Sequence, residues 1–451
     1  MPMPRLLRHT ILSIRDLAVS AGPFVVLALV LLWGAYLLLD PAPPKRVVLA
    51  TGPEQGAYAE FGKRYAQRLK GLGIEVVLKG TQGSAENLAL LRDPAQNVDL
   101  AFVQGGSGAA VLAVDEETNG VPLVSLGSLF YEPVWLFYRE DAARRLNRNG
   151  ALSHLSQLAG WRVNIGAPGS GAPPLWAKLL HANRIDPGSI RTSQLAPTPA
   201  VVAFLAGELD ALLFVSAPES PLVQMLLQTP GVKLFDFAQA EAYSRRLPFL
   251  SALKLPRGVV DLAKDIPPAD VQLIAPTSAL VAREHTHPAL IQLFVQTAQA
   301  VHGDTGWFAR AGTFPSALNV ELPLAAEAAR YYRSGPPLLQ RYLPFWLANL
   351  IDRMWVALVS IVAVLIPLSR IVPPLYEFRI RSRIFRWYGQ LREIEEALGR
   401  RATPPEELAK ELDALDAKVE RINVPLSHAD ELYALRSHIG MVRARLRQAA
   451  G

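Results

Sequence analysis

Residues 47–108 constrain the fold more than any other stretch of the chain. Three times a short run of buried-strand type passes through a glycine-bearing turn into a helical pattern. VVLA (47–50) leads through GPEQG (52–56) to an amphipathic segment over 57–72. IEVVL (74–78) leads through GTQG (80–83) to 84–92, and VDLAFV (98–103) leads through QGGSG (104–108) to 109–114. Short apolar runs flanked by glycine and separated by helical periodicity predict parallel strands joined by crossover helices. In open sheets of this kind ligands sit beyond the carboxyl ends of the strands, where these turns lie. Helix N-termini there present unpaired N–H groups and partial positive charge, so converging ones make a pocket for an anion such as a carboxylate.

The same pattern returns further along. WRVNIG (161–166) runs into APGSGAPP (167–174) and a helix over 175–183, as a second lobe requires. Between the two stands LVSLGSLFYEPVWLFYR (123–139), a long aromatic strand interrupted by Pro133, suited to leave one lobe and enter the next. A helix is predicted over 152–160 and another over 199–207, then a strand at 211–215 and a further helix after 216–219. Strands at 232–235 and 271–274 and a helix over 288–301 complete this part. A chain of 451 residues is too long for one ordinary core, so more than one folded unit is expected.

Two stretches have the length and composition of membrane spans. Residues 22–39, GPFVVLALVLLWGAYLLL, carry no charge and follow a segment holding Arg5, Arg8 and Arg15. The apolar run is longer than a usual signal-peptide core, and it ends in DPAPPKR without a small-x-small cleavage site, so an uncleaved anchor is expected. Residues 40–45 then form a stiff proline-rich spacer. Residues 346–369 make the second span, with Asp352 and Arg353 placed at its outer interface. Arg370, Arg379, Arg381, Arg383, Arg386 and Arg392 follow it, against Glu377 alone, which puts that flank in the cytoplasm. The basic N-terminus gives the same orientation for the first span, so both termini are expected inside and the residues between the spans outside. The tail carries apolar stripes at Leu391/Ile394/Leu398, at Leu408/Leu412/Leu415/Val419/Ile422 and at Leu432/Leu435/Ile439/Val442/Leu446, broken at 399–405 and 423–427. Such stripes predict a helical hairpin or bundle, with a partner-docking coiled coil as the alternative.

Several chemistries are narrowed by what the motifs lack. None of the glycine turns continues as Gly-Lys-Ser/Thr, and 52–56 is not G-x-G-x-x-G, so no nucleotide cofactor is expected. Cysteine is absent, which excludes disulfides and thiol catalysis. Ser84 stands where a helix N-cap is favoured, and Ser170 lies between two glycines; each is read as either a cap or a ligand contact. Gln104, at a strand end, is a buried amide that must find partners in the core or in a ligand. GGSGA (105–109) departs by its last residue from a nucleophile elbow, and a serine hydrolase built on Ser107 is a minor alternative. His285 and His287 are a weak metal pair, read as surface residues, and no metal site is expected. The tail arginines beside Phe385, Trp387 and Tyr388 fit a lipid headgroup surface better than nucleic acid.

The segments ATGPEQGAY, GTQGSAENLALL, VDLAFVQ, LFYEPVWLFYR and RVNIGAPGSG resemble, in order and spacing, the TAXI receptors, the extracytoplasmic solute-binding proteins of TRAP transporters. The likeness covers roughly residues 45–301. It implies a two-lobed α/β Venus-flytrap fold of the periplasmic-binding-protein type, which binds a small carboxylate or glutamate-like amino acid and presents it to a TRAP-type permease without enzymatic turnover. The family's pocket falls here on Gly56, Ala57 and Tyr58 (with Gly52 in the same turn), on Gly83, Ser84 and Asn87, on Gln104, and on Gly169, Ser170 and Gly171. Ala57 and Ala172 replace residues that usually carry hydroxyls, which bears on ligand choice. The expected layout is a basic cytoplasmic N-terminus (1–21), a span (22–39), a solute-binding domain (40–345), a span (346–369) and a cytoplasmic helical tail (370–451). Within the domain, lobe I takes about 45–135 and 250–340, and lobe II 136–249. The expected setting is a bacterial inner membrane with the domain in the periplasm. A transmembrane sensor that passes cleft closure to a cytoplasmic partner is the alternative.

Overall fold

The structure is a computed structural model that describes residues 5–39, 42–107, 120–336, 338–343, 345–400, 403–422 and 429–450. Two units are distinct: residues 42–349, and residues 1–41 together with 350–451. The expected helix at 109–114 and the break at 423–427 lie outside the described residues.

The first unit holds two sheets. Strands β1 (Arg46–Ala50), β2 (Glu75–Lys79) and β3 (Leu100–Gln104) pair in parallel, with β1 in the middle. Val47, Val48, Leu49 and Ala50 are all buried, as a strand covered on both faces demands. Helix α2 (Ala57–Lys70) turns Ala57, Tyr58, Phe61, Tyr65 and Leu69 inward, one stripe at helical spacing. Gly62 sits on that stripe because a Cβ there would lie 2.8 Å from Thr51 Cγ2; only glycine lets the helix come so close to the sheet. Helix α3 spans Ser84–Arg92.

The long aromatic segment divides as expected at Pro133. β4 (Leu123–Tyr131) belongs to the first sheet, and β5 (Val134–Arg139) lies in the second, between β8 (Ala211–Val215) and β9 (Val232–Leu234). That sheet runs β7-β6-β8-β5-β9, with β6 at Arg162–Asn164 and β7 at Arg191–Ser193. Helices α4 (Ala172–Ala182), α5 (Pro197–Leu205) and α6 (Pro221–Leu227) accompany it. Residues 152–160 yield a single 3-10 turn at Leu155–Leu158 in place of the expected helix.

The return path differs more. β11 runs Val271–Arg283, well past the expected 271–274, and β10 (Leu250–Leu255) pairs with its first half. Its second half pairs with β3 and β4. Pro276 reads as a strand breaker but falls where the partner strands change over, so the ladder loses no donor there. β11 and the β4–β5 passage are thus two strand crossovers running side by side, joined where the Glu132 N–H donates to Pro276 O at 2.9 Å. Helices α7 (Pro288–His302) and α8 (Ala326–Ser334) close the first lobe's core.

In the other unit, α1 covers Arg5–Leu39 and α9 is Phe345–Ser369, most of which lies here. Ala21–Leu39 of α1, and a stretch that starts at Met354 of α9 and runs past its end, are long and apolar enough to cross a membrane. Val25, Leu29, Val30 and Trp33 of α1, like Val356, Val359 and Ile366 of α9, stand exposed. The tail folds as α10 (Val372–Arg400), α11 (Pro405–Glu420) and α12 (Ala429–Ala450), whose stripes cover one another. Ile384, Leu391, Leu412, Val419, Ile439 and Val442 are among the side chains of that buried seam. Arg443 bridges to Asp413 and Asp416 at 2.8 and 2.9 Å across α11 and α12.

Candidate ligand-binding site

The two sheets of residues 42–349 meet around a cavity of about 100 Å³. This is less than the ~150 Å³ of an engineered apolar cavity that admits benzene, so the space restricts any ligand to a small one. Helices α2, α3 and α4 all begin at its wall. Their N-caps are Gly56, Gly83 and Gly171, each without a side-chain cap, and all three glycines line the cavity. The first-turn N–H groups are therefore not covered by a capping side chain, and the dipoles of the helices converge on one small space. Pro173 and Pro174 leave α4 few donors to give, so α2 and α3 carry most of this effect.

The lobes touch at several points around this space. Thr198 Oγ1 donates to Gln55 Oε1 at 2.7 Å, Glu86 N–H to Gly169 O at 3.0 Å, and Gln104 Nε2 to Gly171 O at 3.2 Å. Lys178 Nζ reaches Gly106 O. Gly83 lies at the seam with φ +132°, and a Cβ on it would come 3.2 Å from Ser170 Cα.

Of the residues expected at the site, Gly56, Ala57, Tyr58, Gly83, Ser84, Gln104, Ser170 and Gly171 line the cavity. Asn87 and Gly169 do not. Asn87 is fully buried, giving its amide protons to Thr51 O and Phe102 O while its Oδ1 accepts from Thr81 at 2.7 Å. It fastens α3 to the sheet, and all its bonds are spent on protein. Gly169 serves the lobe seam through its carbonyl. Ser84 is not the cap of α3: it is the first helical residue, and its Oγ accepts from Gln104 N–H at 2.8 Å. Ser170 Oγ donates to Ala167 O at 2.8 Å, holding the turn.

The alternatives fare differently. Ser107 Oγ shares a hydrogen bond with Ser84 Oγ at 3.2 Å, while Gly108 and Ala109 lie outside the described residues. His287 caps α7, its Nδ1 accepting from Ala289 N–H at 3.2 Å. Among the described residues no group of three or more His, Asp or Glu is placed to hold a metal ion.

Glu132 lines the cavity and was not anticipated. It is 3% exposed, and Tyr58 Oη donates to its Oε2 at 3.0 Å. Burial pushes the Glu132 carboxyl up to about 8, against the opposing pull of the Tyr58 hydrogen bond. Burial, with Glu132 beside it, also holds the Tyr58 hydroxyl well above its usual range. The sequence did hold a sign of this, for Glu132 is the lone charge in the apolar run 121–138. Asn164, at the end of β6, also faces the cavity, its Oδ1 accepting from Leu195 N–H at 2.7 Å. Leu195, Pro197, Phe214 and Leu222 supply an apolar wall. Among the described lining residues there is no lysine, arginine or histidine.

The NMT1-like family profile matches residues 49–334, the larger part of the chain. Among solved structures, the periplasmic aliphatic sulphonate binding protein SsuA of Escherichia coli is 15% identical, over 71% of this chain and 83% of that one, at a TM-score of 0.36. MatC of Rhodopseudomonas palustris with bound malate is 14% identical, over 70% and 99%, at a TM-score of 0.38. SsuA of Xanthomonas axonopodis pv. citri bound to MOPS is 14% identical, over 58% and 74%, at a TM-score of 0.37.

Proposed function

The chain belongs to the NMT1-like family, and on that premise we propose that it is a membrane-tethered extracytoplasmic receptor for a small carboxylate. One observation carries the reading: α2, α3 and α4 start, with glycine N-caps, at the wall of one interlobe cavity. Aligned peptide dipoles and first-turn N–H groups favour an anion there without a cationic side chain. The apolar wall of Leu195, Pro197, Phe214 and Leu222 favours a ligand with a hydrocarbon portion. Closure follows when the ligand touches donors from both lobes at once, since only differential affinity shifts such an equilibrium. The likeness to TAXI receptors makes a TRAP-type permease the proposed partner. In the proposed layout α1 and α9 span the inner membrane, the binding domain is periplasmic and both termini are cytoplasmic. Tethering raises the local concentration of receptor at its permease without any new contact.

A sensor is the second reading, and it rests on helical continuity. α9 is separated from the bundle helix α10 by Arg370 and Ile371 alone, so a span leads almost directly into a folded tail. Co-purification with a permease favours the receptor, and with a soluble regulator the sensor. The first test is a thermal-shift screen of the full chain in detergent against small mono- and dicarboxylates and amino acids. A ligand at 100 times its Kd adds about 2.7 kcal/mol to stability. A carboxylate that raises Tm in the native chain, and fails to do so in Ser170→Trp, supports the receptor. A panel that shifts nothing removes that reading.

A further inference from the structure

Tyr58 and Glu132 are the ionisable side chains among the described residues that line the cavity, so the charge inside rests on this pair. Glu132 also occupies a particular place in the fold. It lies between β4 and β5, next to Pro133, and its backbone is bonded to Pro276 of the other crossover strand. A carboxyl that faces the ligand therefore stands on the passage joining the lobes.

We propose that Glu132 is the specificity-determining residue of the cleft: as a neutral acid it donates its hydrogen bond to the carboxylate of the ligand, and as a carboxylate it turns that ligand away. The inference rests on the receptor reading above and adds how that receptor selects. Tyr58 donates to Oε2, which leaves Oε1 as the oxygen we assign to carry the proton and donate to the ligand. An ionised Glu132 and an ionised ligand in a cavity of about 100 Å³ would repel each other in a poorly screened space. With no lysine or arginine in the described lining to offset two negative charges, one of them must carry a proton.

Other groups near Glu132 leave this balance alone. From α2 comes Tyr58, which stays protonated, and from β11 comes Ser278, a neutral hydroxyl. Ser216 and Ser220 line the cavity from the turn between β8 and α6. The charged residues Arg64 of α2 and Glu219 of that turn line a separate cavity with His302 and Asp304. Proton book-keeping is simple: below the Glu132 titration the acid is already neutral and anion binding moves no proton. Above it, each anion bound takes one proton from solvent onto Glu132 Oε1.

The test is calorimetric titration of the full chain in detergent between pH 6 and 10, with pyruvate, 2-oxoisovalerate, malate and glutamate as probes. Repeating each titration in two buffers of different ionisation enthalpy reads the proton directly and needs no variant. For the native chain we expect affinity to fall towards tenfold per pH unit above about pH 8, with uptake approaching one proton per anion. Glu132→Gln keeps an N–H donor but cannot ionise, so its affinity becomes flat over that range. Anion binding that is pH-independent in the native chain overturns the inference and leaves the receptor standing. Glu132→Gln that folds, by its melting curve, yet loses every anion at pH 6 also overturns it, because a neutral donor at that position would then not be what holds the ligand. If no probe binds at all, receptor and inference fall together.

Discussion

The Gln104 side-chain amide donates to Gly171 O at 3.2 Å, joining the end of β3 in one lobe to the start of α4 in the other. A Cβ on Gly171 would lie 2.3 Å from Gln104 Oε1, so the glycine is what allows the approach. Gly171→Ala should push the Gln104 side chain aside and weaken closure, since the displaced atom is the tip of a flexible chain and not backbone. Affinity for any ligand found by the screen should fall about tenfold, or ~1.4 kcal/mol. The unliganded chain should lose about 1 kcal/mol of stability, the net worth of the one hydrogen bond displaced. Native affinity in Gly171→Ala would show that this contact plays no part in closure.

Asn87 is expected to matter for stability and not for recognition. Asn87→Ala takes the side-chain donor from buried Phe102 O and leaves Thr51 O with Thr81 Oγ1 alone, at 3.2 Å. Loss of about 2 kcal/mol is expected, at ~1–3 kcal/mol for a buried group left unmatched. Thermal melts of the full chain measure it, and binding assayed well below Tm should persist. The reverse pattern, normal melting with lost binding, would return Asn87 to the list of ligand contacts.

Two buried groups set opposite limbs of the stability–pH curve. The folded chain holds a proton on Glu132 up to about pH 8, whereas an ordinary glutamate releases it near 4.5. Between these values the folded state binds more protons than the unfolded, so stability is present below 4.5 and drains away as pH rises. His302 is the converse: burial among Phe61, Tyr65 and Phe130, with Arg64 adding to it, lowers its titration from 6.5 to about 3. Its contribution is whole above 6.5 and is lost as pH falls towards 3. Each limb has a limiting slope of about 1.4 kcal/mol per pH unit. Tm measured against pH should flatten on the alkaline side in Glu132→Gln and on the acid side in His302→Leu. Parallel native and variant curves would contradict the assignment.

Topology can be read without preparing a background, because the chain contains no cysteine. Ser153 and Ala414 are both exposed, one in the binding domain and one on α11. In cells with a permeabilised outer membrane, an impermeant maleimide should label Ser153→Cys at once and Ala414→Cys only after lysis. Labelling of Ala414→Cys in intact cells would reverse the proposed orientation of the tail.

Most of the scaffold was determined by the sequence alone. The strands at β1 and β8, the three glycine turns, the break at Pro133, the two apolar helices and the stripes of the tail are local patterns. Burial of a strand or a helix face leaves a period in the residues that make it, and a reader needs no partner to see it. The tertiary structure decided what each polar group does, because that depends on what arrives opposite it from far along the chain. Asn87 turned inward to protein carbonyls, Ser84 took the Gln104 N–H while lining the cavity, and Glu132 met Tyr58 from 74 residues away at the same cavity. The same holds for β11, whose length past Pro276 is legible only once β10 is seen to end where β3 and β4 begin. A hydrogen bond has two ends, and the sequence around either one shows only its own.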